Sequence, residues 1–256
     1  MRETDKRNSR RKFDNLIFGR QPVIELLEGD KTVDKILLQK SASGDIIPII
    51  KKKAAEKEIP VQYVPIEKLN ALTGGNHQGV IAFISAIEFQ TIENILPFII
   101  ENGETPLLLI LDGITDVRNF GAIARTAYAS GVHAIIIPVS SAAPVNEDAI
   151  KTSAGALTKI PVCREKNLAN TLNYLQLNGI QIIGTDSNAE KFVYAIDLTI
   201  PTAIIMGAED IGISSTARKF ISENIKLPMQ VDFDSYNVSV AAGMVLYEVM
   251  RQRLNE

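Results

Sequence analysis

Three polar clusters in this sequence could carry chemistry, and each lies next to an apolar run that is typical of a buried strand. The first is "RNFGAIART" at 118–126, which places Arg125 among alanines. The second is "MGAEDIG" at 206–212, and the third is "LPMQVDFDSYNVSVAAGMVLYE" at 227–248. Taken singly, each has an ordinary structural explanation: an arginine with a solvated head group, a turn after a strand, and a capped helix start. Only the three together indicate a functional site.

The sequence excludes several common kinds of chemistry. The first cluster lacks the G-x-G-x-x-G fingerprint of dinucleotide enzymes, and no Gly-Lys-Ser/Thr phosphate loop is present. A single cysteine, Cys163, excludes an internal disulfide and a Cys-rich zinc site. Because His77 and His133 are the two histidines, a His-based metal site is also disfavoured, and we expect chemistry without a metal. His77 and Cys163 are both expected to be structural.

The polar clusters belong to a predicted α/β unit that spans residues 105–256. The runs "LLLILD", "HAIIIP", "IQIIGTD" and "TAIIMG" are almost continuously apolar, as strands of a parallel sheet covered on both faces should be. Helical segments separate them, with Gly131 and Gly179 at predicted helix ends and Asn146 and Ser214 or Ser215 as predicted caps. A last helix is predicted from Asn237 to about Arg253.

A smaller α/β unit is predicted over residues 14–86, because short strand and helix patterns alternate there. Residues 87–104 are interpreted as a linker. We expect residues 1–13 to form a basic, disordered tail. They hold six basic and two acidic residues, whereas the other 243 residues hold 21 basic and 28 acidic ones. The apolar runs are too short to span a membrane and the N-terminus does not resemble a signal peptide, so we expect a cytoplasmic protein.

The three clusters, in this order, resemble the motifs of the SpoU (TrmH-type) ribose 2′-O-methyltransferases, a branch of the SPOUT superfamily. "IFGRQPVIELL" at 17–27 and "NHQGVIAF" at 76–83 resemble the ends of the L30e-like RNA-binding domain that precedes the catalytic domain in the subgroup acting on large-subunit rRNA guanosine. The resemblance covers residues 14–253. It implies a SPOUT-type α/β domain with a parallel sheet and a C-terminal trefoil knot, although chain connections seldom thread loops.

The resemblance also implies the site residues and S-adenosylmethionine as cofactor. The positions that match the family's catalytic residues are Asn119, Arg125, Glu209, Ser235 and Asn237. The predicted cofactor-binding residues are Gly207, Leu227, Met229, Tyr236 and Val238, with Gly207 allowing the cofactor close to the backbone. The chain departs from the family pattern at Val231, where a glycine is usual nearby, and at Tyr236, which replaces a common leucine.

The expected roles follow from the chemistry of methyl transfer to a ribose hydroxyl. Such a one-step displacement needs alignment and removal of one proton rather than a covalent nucleophile. We expect Arg125 to face the cofactor pocket, with Glu209 as its orienting partner, and to clamp an RNA phosphate, because a guanidinium is a poor base. Glu209 is the chemically easier proton acceptor.

The leading hypothesis is methylation of a guanosine ribose 2′-hydroxyl in 23S rRNA. The alternatives are the same chemistry on a tRNA loop guanosine, and an RNA-binding scaffold without activity. A homodimer is expected through the last helix, which carries one apolar stripe of Val238, Ala241, Val245 and Val249 and a second of Val240, Met244, Tyr247 and Met250. The small residues Ala241, Ala242 and Gly243 were expected to allow close approach of that helix to its partner.

Overall fold

The computed structural model describes residues 15–231 and 233–254, so the predicted basic tail at 1–13 lies outside the described residues. The chain divides into two compact units, residues 1–85 and residues 86–256. None of the helices in the described ranges is long and apolar enough to cross a membrane.

The first unit is a mixed sheet with helices, as the alternating sequence pattern predicts. Its described residues form four strands in the order β1-β4-β2-β3, in which β4 is antiparallel to both neighbours and β3 is parallel to β2. The helices α1 and α2 pack through Val23, Leu27 and Ile50 against the buried residues of the sheet. The elements are β1 (Leu16–Phe18), α1 (Arg20–Glu28), β2 (Val33–Gln39), α2 (Ile46–Glu56), β3 (Val61–Val64), α3 (Ile66–Leu72) and β4 (Val80–Ile84).

The second unit is a parallel sheet covered by helices on both faces. In the described part of the chain it has seven strands, in the order β7-β6-β5-β10-β8-β11-β9, and every pairing is parallel. The strands are β5 (Leu107–Asp112), β6 (Ala134–Pro138), β7 (Val162–Glu165), β8 (Gln181–Thr185), β9 (Lys191–Phe192), β10 (Thr202–Gly207) and β11 (Glu223–Lys226). The helices are α4 (Ile92–Glu101), α5 (Val117–Ala129), α6 (Glu147–Thr152), α7 (Leu168–Leu177), α8 (Ser215–Arg218) and α9 (Val238–Arg253), with short 3-10 turns at Ala156–Thr158 and Val193–Ala195.

The central strand β5 shows why its sequence is apolar at every position. Its side chains alternate between the two faces of the sheet, so that Leu109 joins the cluster formed with α5 and α9, whereas Leu108 joins the cluster formed with α4 and α7. All six residues of β5 are buried. The sheet therefore holds the carboxyl ends of β5, β8, β10 and β11 at one edge, where ligands of open parallel sheets bind.

Residues 87–104 do not form the linker that the sequence pattern suggested. Its helix α4 buries Ile92, Leu96 and Ile99 in the core of the second unit. Ahead of the helix, Gln90 continues the sheet, since its N–H donates to Val162 O and its carbonyl accepts from Arg164 N. Residues 87–104 are thus part of the second unit, and the break in the apolar pattern that suggested a linker is a turn into a covering helix.

Candidate active site

A hydrogen-bonded cluster joins three predicted site residues from distant parts of the sequence. Glu209 Oε1 accepts from Asn119 Nδ2 at 3.2 Å and from Asn237 Nδ2 at 3.0 Å. Asn237 Nδ2 also donates to Asn119 Oδ1 at 3.1 Å, and the N–H of Val238 approaches Glu209 Oε1 at 3.5 Å. One carboxylate oxygen therefore connects the loop after β10 to the first turn of α5 and the start of α9.

Helix caps hold the two asparagines of this cluster in place. Asp116 caps α5, because its Oδ1 accepts from the N–H groups of Arg118 and Asn119 at 2.9 and 2.8 Å. Asn237 caps α9 with its own Oδ1, which accepts from Ser239 N at 3.0 Å. Asn237 thus uses its oxygen for the helix and its NH₂ group for the cluster, a division that an aspartate could not provide.

A cavity of about 370 Å³ lies beside the cluster at the carboxyl edge of the sheet. All five residues predicted to bind the cofactor line it: Gly207, Leu227, Met229, Tyr236 and Val238. Glu209 and Ser235 line it as well, and Ser235 is exposed. The loops after β10 and β11 and the start of α9 thus form one pocket.

A second cavity of about 240 Å³ adjoins the first on the side of α5. Asn119 and Asp116 line it, and it shares Glu209 and Val238 with the first cavity. The Asn119–Glu209–Asn237 cluster therefore lies at the junction of the two cavities, where a ligand bound in one would contact a ligand bound in the other.

Gly207 lies where the chain leaves no room for a side chain. A Cβ at this position would lie 2.3 Å from the carbonyl carbon of Gly212 and 2.4 Å from Ile213 N. The loop folds back on itself there, with reciprocal hydrogen bonds between Ala208 and Gly212. The close approach at Gly207 is to the chain's own backbone, so the glycine shapes the loop that carries Glu209.

Arg125 is not part of this cluster. Its side chain is exposed on α5, and it has no hydrogen bond or ion pair with any residue that the structure describes. It lines neither cavity, and at about 1.5 Å per residue it lies roughly 9 Å along the helix from Asn119. The expected pairing of Glu209 with Arg125 is therefore not observed, because Glu209 is bonded to the two asparagines instead. Nor does Arg125 face the cofactor pocket within one chain.

Two charged residues of the pocket wall, Asp186 and Arg218, were not predicted from the sequence. Asp186 Oδ2 accepts from Arg218 Nη1 at 2.9 Å, and both residues line the larger cavity. A hydrogen bond from the backbone N–H of Asn188, together with the Arg218 contact, lowers the pKa of Asp186 from its ordinary value. The position of Asp186 directly after β8, at the carboxyl edge of a parallel sheet, was the available signal. Arg218 gave none.

The loop between β11 and α9 contains the two departures from the family pattern. Tyr236 OH donates to Pro228 O at 3.1 Å, which closes the loop across its base. Val231 is exposed. The tyrosine thus gives the loop a hydrogen bond that a leucine cannot form.

Cys163 is fully buried, and burial raises the pKa of its thiol to about 12, so it stays a neutral thiol. His77 belongs to the first unit, where it is buried in a turn. In the described ranges, no group of three or more His, Cys, Asp or Glu residues could hold a metal ion.

The fold and site define an α/β protein with a cofactor-sized pocket at the carboxyl ends of parallel strands. The chain belongs to the SpoU rRNA methylase family, whose model matches residues 106–247. Residues 16–90 match the model described as RNA 2′-O ribose methyltransferase substrate binding.

Relatives of known name cover almost the whole chain. The 23S rRNA (guanosine-2′-O-)-methyltransferase RlmB of Yersinia pestis is 38% identical over 242 residues, 93% of this chain and 97% of that protein. The putative TrmH family tRNA/rRNA methyltransferase YacO of Bacillus subtilis is 37% identical over 93% of this chain and 95% of its own length. The SpoU methyltransferase AviRb of Streptomyces viridochromogenes, solved in complex with AdoMet, superposes with a TM-score of 0.61 at 23% identity, over 94% of this chain and 91% of its own. The last comparison supports the SPOUT fold.

Proposed function

We propose that this protein transfers a methyl group from S-adenosylmethionine to the ribose 2′-hydroxyl of a guanosine in 23S rRNA. The observation that carries the proposal is the Asn119–Glu209–Asn237 cluster between two adjoining cavities. Support comes from the family and from relatives named as 23S rRNA guanosine methyltransferases. We assign the cofactor to the larger cavity and the reacting ribose to the smaller one.

The larger cavity fits S-adenosylmethionine in size and chemistry. Its volume of about 370 Å³ falls among pockets that hold small ligands, roughly 300–1,000 Å³. Apolar side chains such as Met206, Leu227 and Val245 can contact a purine ring, whereas Asp186 and Arg218 supply charges for polar groups. The residues present thus suit a ligand that has both an aromatic base and an amino-acid group.

The bound cofactor would supply an electrophilic methyl group on its sulfonium. The chain's own residues have to align the attacking hydroxyl and hold its proton. Glu209 Oε1 accepts hydrogen bonds from both asparagines, so the main role of Glu209 in this proposal is to hold them in place. The other oxygen, Oε2, has no hydrogen-bond partner among the described residues. Oε2 is then the group that can accept the hydroxyl proton.

Arg125 is proposed to bind a phosphate of the RNA. Its exposure and its lack of partners in the described chain leave the guanidinium fork available for two parallel hydrogen bonds to phosphate oxygens. Because Arg125 lies away from both cavities of its own chain, it positions RNA that extends beyond the pocket.

We also propose that the protein is a homodimer through α9. Val240, Met244 and Tyr247 are 48%, 39% and 68% exposed and follow one another at helical spacing on the side opposite the buried Val238, Val245 and Val249. A second copy is the commonest partner that covers such a self-complementary stripe.

An enzyme that modifies rRNA acts where ribosomes are assembled, so the location that we propose for this protein is the cytoplasm.

A methylation assay and a binding measurement distinguish this proposal from its two alternatives. Incubation with methyl-labelled S-adenosylmethionine and either 23S rRNA or tRNA should label 23S rRNA, and nuclease digestion should release 2′-O-methylguanosine. Label in tRNA alone would favour the tRNA alternative, which the name of the Bacillus subtilis relative leaves open. Failure to bind S-adenosylmethionine by isothermal titration would favour the scaffold.

The same assay tests the polar cluster with a matched pair of variants. Glu209→Ala removes the acceptor that holds both asparagines, and we expect transfer to fall by roughly 100-fold or more, the lower end of the range for a positioned proton acceptor. Glu101→Ala removes an exposed carboxylate of α4 far from the cluster in sequence and sheet position, and should leave transfer unchanged. Equal activity of the two variants would refute the assigned role of the cluster.

A further inference from the structure

The first unit contains a polar cavity that the proposed active site does not use. It measures about 410 Å³ and is bounded by the turn after β2, the helix α3, the turn before β4 and the start of α1. Its polar lining residues include Arg20, Gln39, Ser41, Asn70, Asn76 and Gln78. Several amides therefore surround one guanidinium, which makes this cavity more polar than most ligand pockets.

His77 fixes the orientation of one wall of this cavity. The residue is only 7% exposed, and its Nδ1 accepts from Gly79 N at 3.0 Å. Nδ1 therefore has no proton, so Nε2 carries it and donates to Asn70 Oδ1 at 2.9 Å. Asn70 is held by its oxygen, and its NH₂ group is left for a ligand.

Arg20 and Gln78, which also line the cavity, are joined by two hydrogen bonds. The backbone N–H of Arg20 donates to Gln78 Oε1 at 3.0 Å, and Arg20 Nε donates to Gln78 O at 3.2 Å. Gln78 has a φ of 51°, a left-handed conformation that residues other than glycine seldom adopt and that often occurs at functional sites. The NH₂ group of Gln78 and the terminal nitrogens of Arg20 have no partner among the described residues.

The groups that Arg20, Gln78 and Asn70 leave for a ligand are donors, and they include one positive charge, whereas Gln39 donates to Ser41 and leaves its oxygen as an acceptor. Donors of this kind match the oxygens of a phosphate and the N7 and O6 acceptors that guanine presents side by side. A protein reaches such base edges in RNA where the nucleotide is unpaired, since the major groove of an RNA helix is too narrow for side chains.

We propose that this cavity, named here the Arg20–Gln78 pocket, binds one unpaired guanosine nucleotide of the RNA substrate. The proposal rests on the proposed function for the presence of RNA, and it adds the place and the chemistry of recognition on the first unit. Arg20 binds the phosphate or the O6/N7 edge, and the amide groups of Gln78 and Asn70 donate to the remaining acceptors.

A pair of charge-matched variants tests the pocket in the full chain. Gln78→Glu keeps an oxygen that accepts from Arg20 N but replaces the donor group by an anion, which repels phosphate and base acceptors. Gln62→Glu makes the same change of charge at an exposed residue of β3 that does not line the pocket. By filter binding to 23S rRNA, we expect Gln78→Glu to weaken the affinity by roughly tenfold or more, equivalent to about 1.4 kcal/mol, and Gln62→Glu to change it less than twofold.

Base identity is tested with RNA hairpins whose uridine loops contain one guanosine or one cytidine. The wild-type protein should prefer the guanosine loop, and Gln78→Glu should lose that preference. If Gln78→Glu fails to fold, as judged by circular dichroism, Asn76→Asp places the same charge at an exposed lining residue.

The outcomes separate this proposal from the proposed function. Wild-type protein that neither binds nor methylates 23S rRNA would overturn the proposed function. Wild-type protein that does both, with the glutamate variants at positions 78 and 62 indistinguishable in RNA affinity, would overturn the pocket alone. Isothermal titration with S-adenosylmethionine should give the wild-type affinity for both variants.

Discussion

At the scale of single residues, Asn237 links the helix cap to the proposed chemistry. Its Oδ1 holds the first turn of α9, and its Nδ2 contacts Asn119 and Glu209. The resemblance predicted that these three residues belong to one site, and the structure brings them together. Sequence reasoning did not predict that Glu209 pairs with asparagines rather than with Arg125, because a linear pattern does not show which side chains meet across a turn.

The exposed guanidinium of Arg125 leads to a prediction on methyl transfer. Arg125→Lys keeps the charge and loses the planar fork, so we expect a 10- to 100-fold lower rate with unchanged S-adenosylmethionine affinity, as for the loss of about one charge-assisted hydrogen bond. Arg118→Lys is the matched control, since Arg118 is also exposed on α5. Near-normal turnover of Arg125→Lys would contradict the phosphate-binding role.

The crowding at Gly207 leads to a second prediction. Gly207→Ala puts a methyl group into the backbone of Gly212 and Ile213, and we expect a loss of about 3 kcal/mol in unfolding free energy, the upper part of the range for overpacking, with loss of cofactor binding. Gly29→Ala is the control, because its Cβ would meet Glu25 O at an ordinary 3.5 Å. Thermal unfolding and isothermal titration measure both effects, and a Gly207→Ala protein with wild-type behaviour in both would refute this explanation.

At the scale of elements, α9 shows which features helical periodicity predicts and which it does not. The two apolar stripes predicted from its sequence appear as a buried side with Val238 and Val245 and an exposed side with Val240 and Met244. The expected role of Ala242 in a dimer contact was wrong, because Ala242 is fully buried within its own chain. Gly243 likewise faces Thr126 of α5. Four strands of the parallel sheet, β5, β6, β8 and β10, were predicted from their apolar runs, whereas the short strands β7, β9 and β11 were not. The trefoil knot stays a prediction, since local patterns carry no information on threading.

The exposed stripe of α9 provides the prediction on assembly. Met244→Glu should weaken a dimer by about 100-fold or more, because a buried unpaired carboxylate costs several kcal/mol. Leu177→Glu is the control on α7, where Leu177 is 79% exposed. Sedimentation equilibrium at micromolar concentration should show a wild-type dimer, a dimer of the control and a monomer of Met244→Glu. A fully active wild-type monomer would contradict the dimer.

At the scale of the whole molecule, the two units divide the proposed work. The cofactor pocket and the polar cluster lie entirely within residues 86–256, whereas the Arg20–Gln78 pocket lies in residues 1–85. The sequence pattern predicted the end of the first unit at residue 86, against 85 in the structure, but it placed the start of the second unit at 105 instead of 86. It misassigned 87–104, since a covering helix and a linker helix have the same periodicity.

Separation of the units leads to the fourth prediction. Deletion of residues 1–85 should leave a folded unit that binds S-adenosylmethionine with wild-type affinity, because its core is formed by its own sheet and helices. Its affinity for 23S rRNA should fall by at least about tenfold, as contacts to one nucleotide are lost. Unchanged rRNA affinity of the truncated protein would show that the first unit does not bind the substrate.

The central claim, methylation of a guanosine ribose in 23S rRNA, is tested most directly by mapping ribose methylation in a strain that lacks this gene. We predict that one guanosine of 23S rRNA loses its 2′-O-methyl group, that the wild-type gene restores it, and that an Asn237→Ala variant does not. An unchanged 23S rRNA map, or a methyl group lost from tRNA instead, would contradict the account.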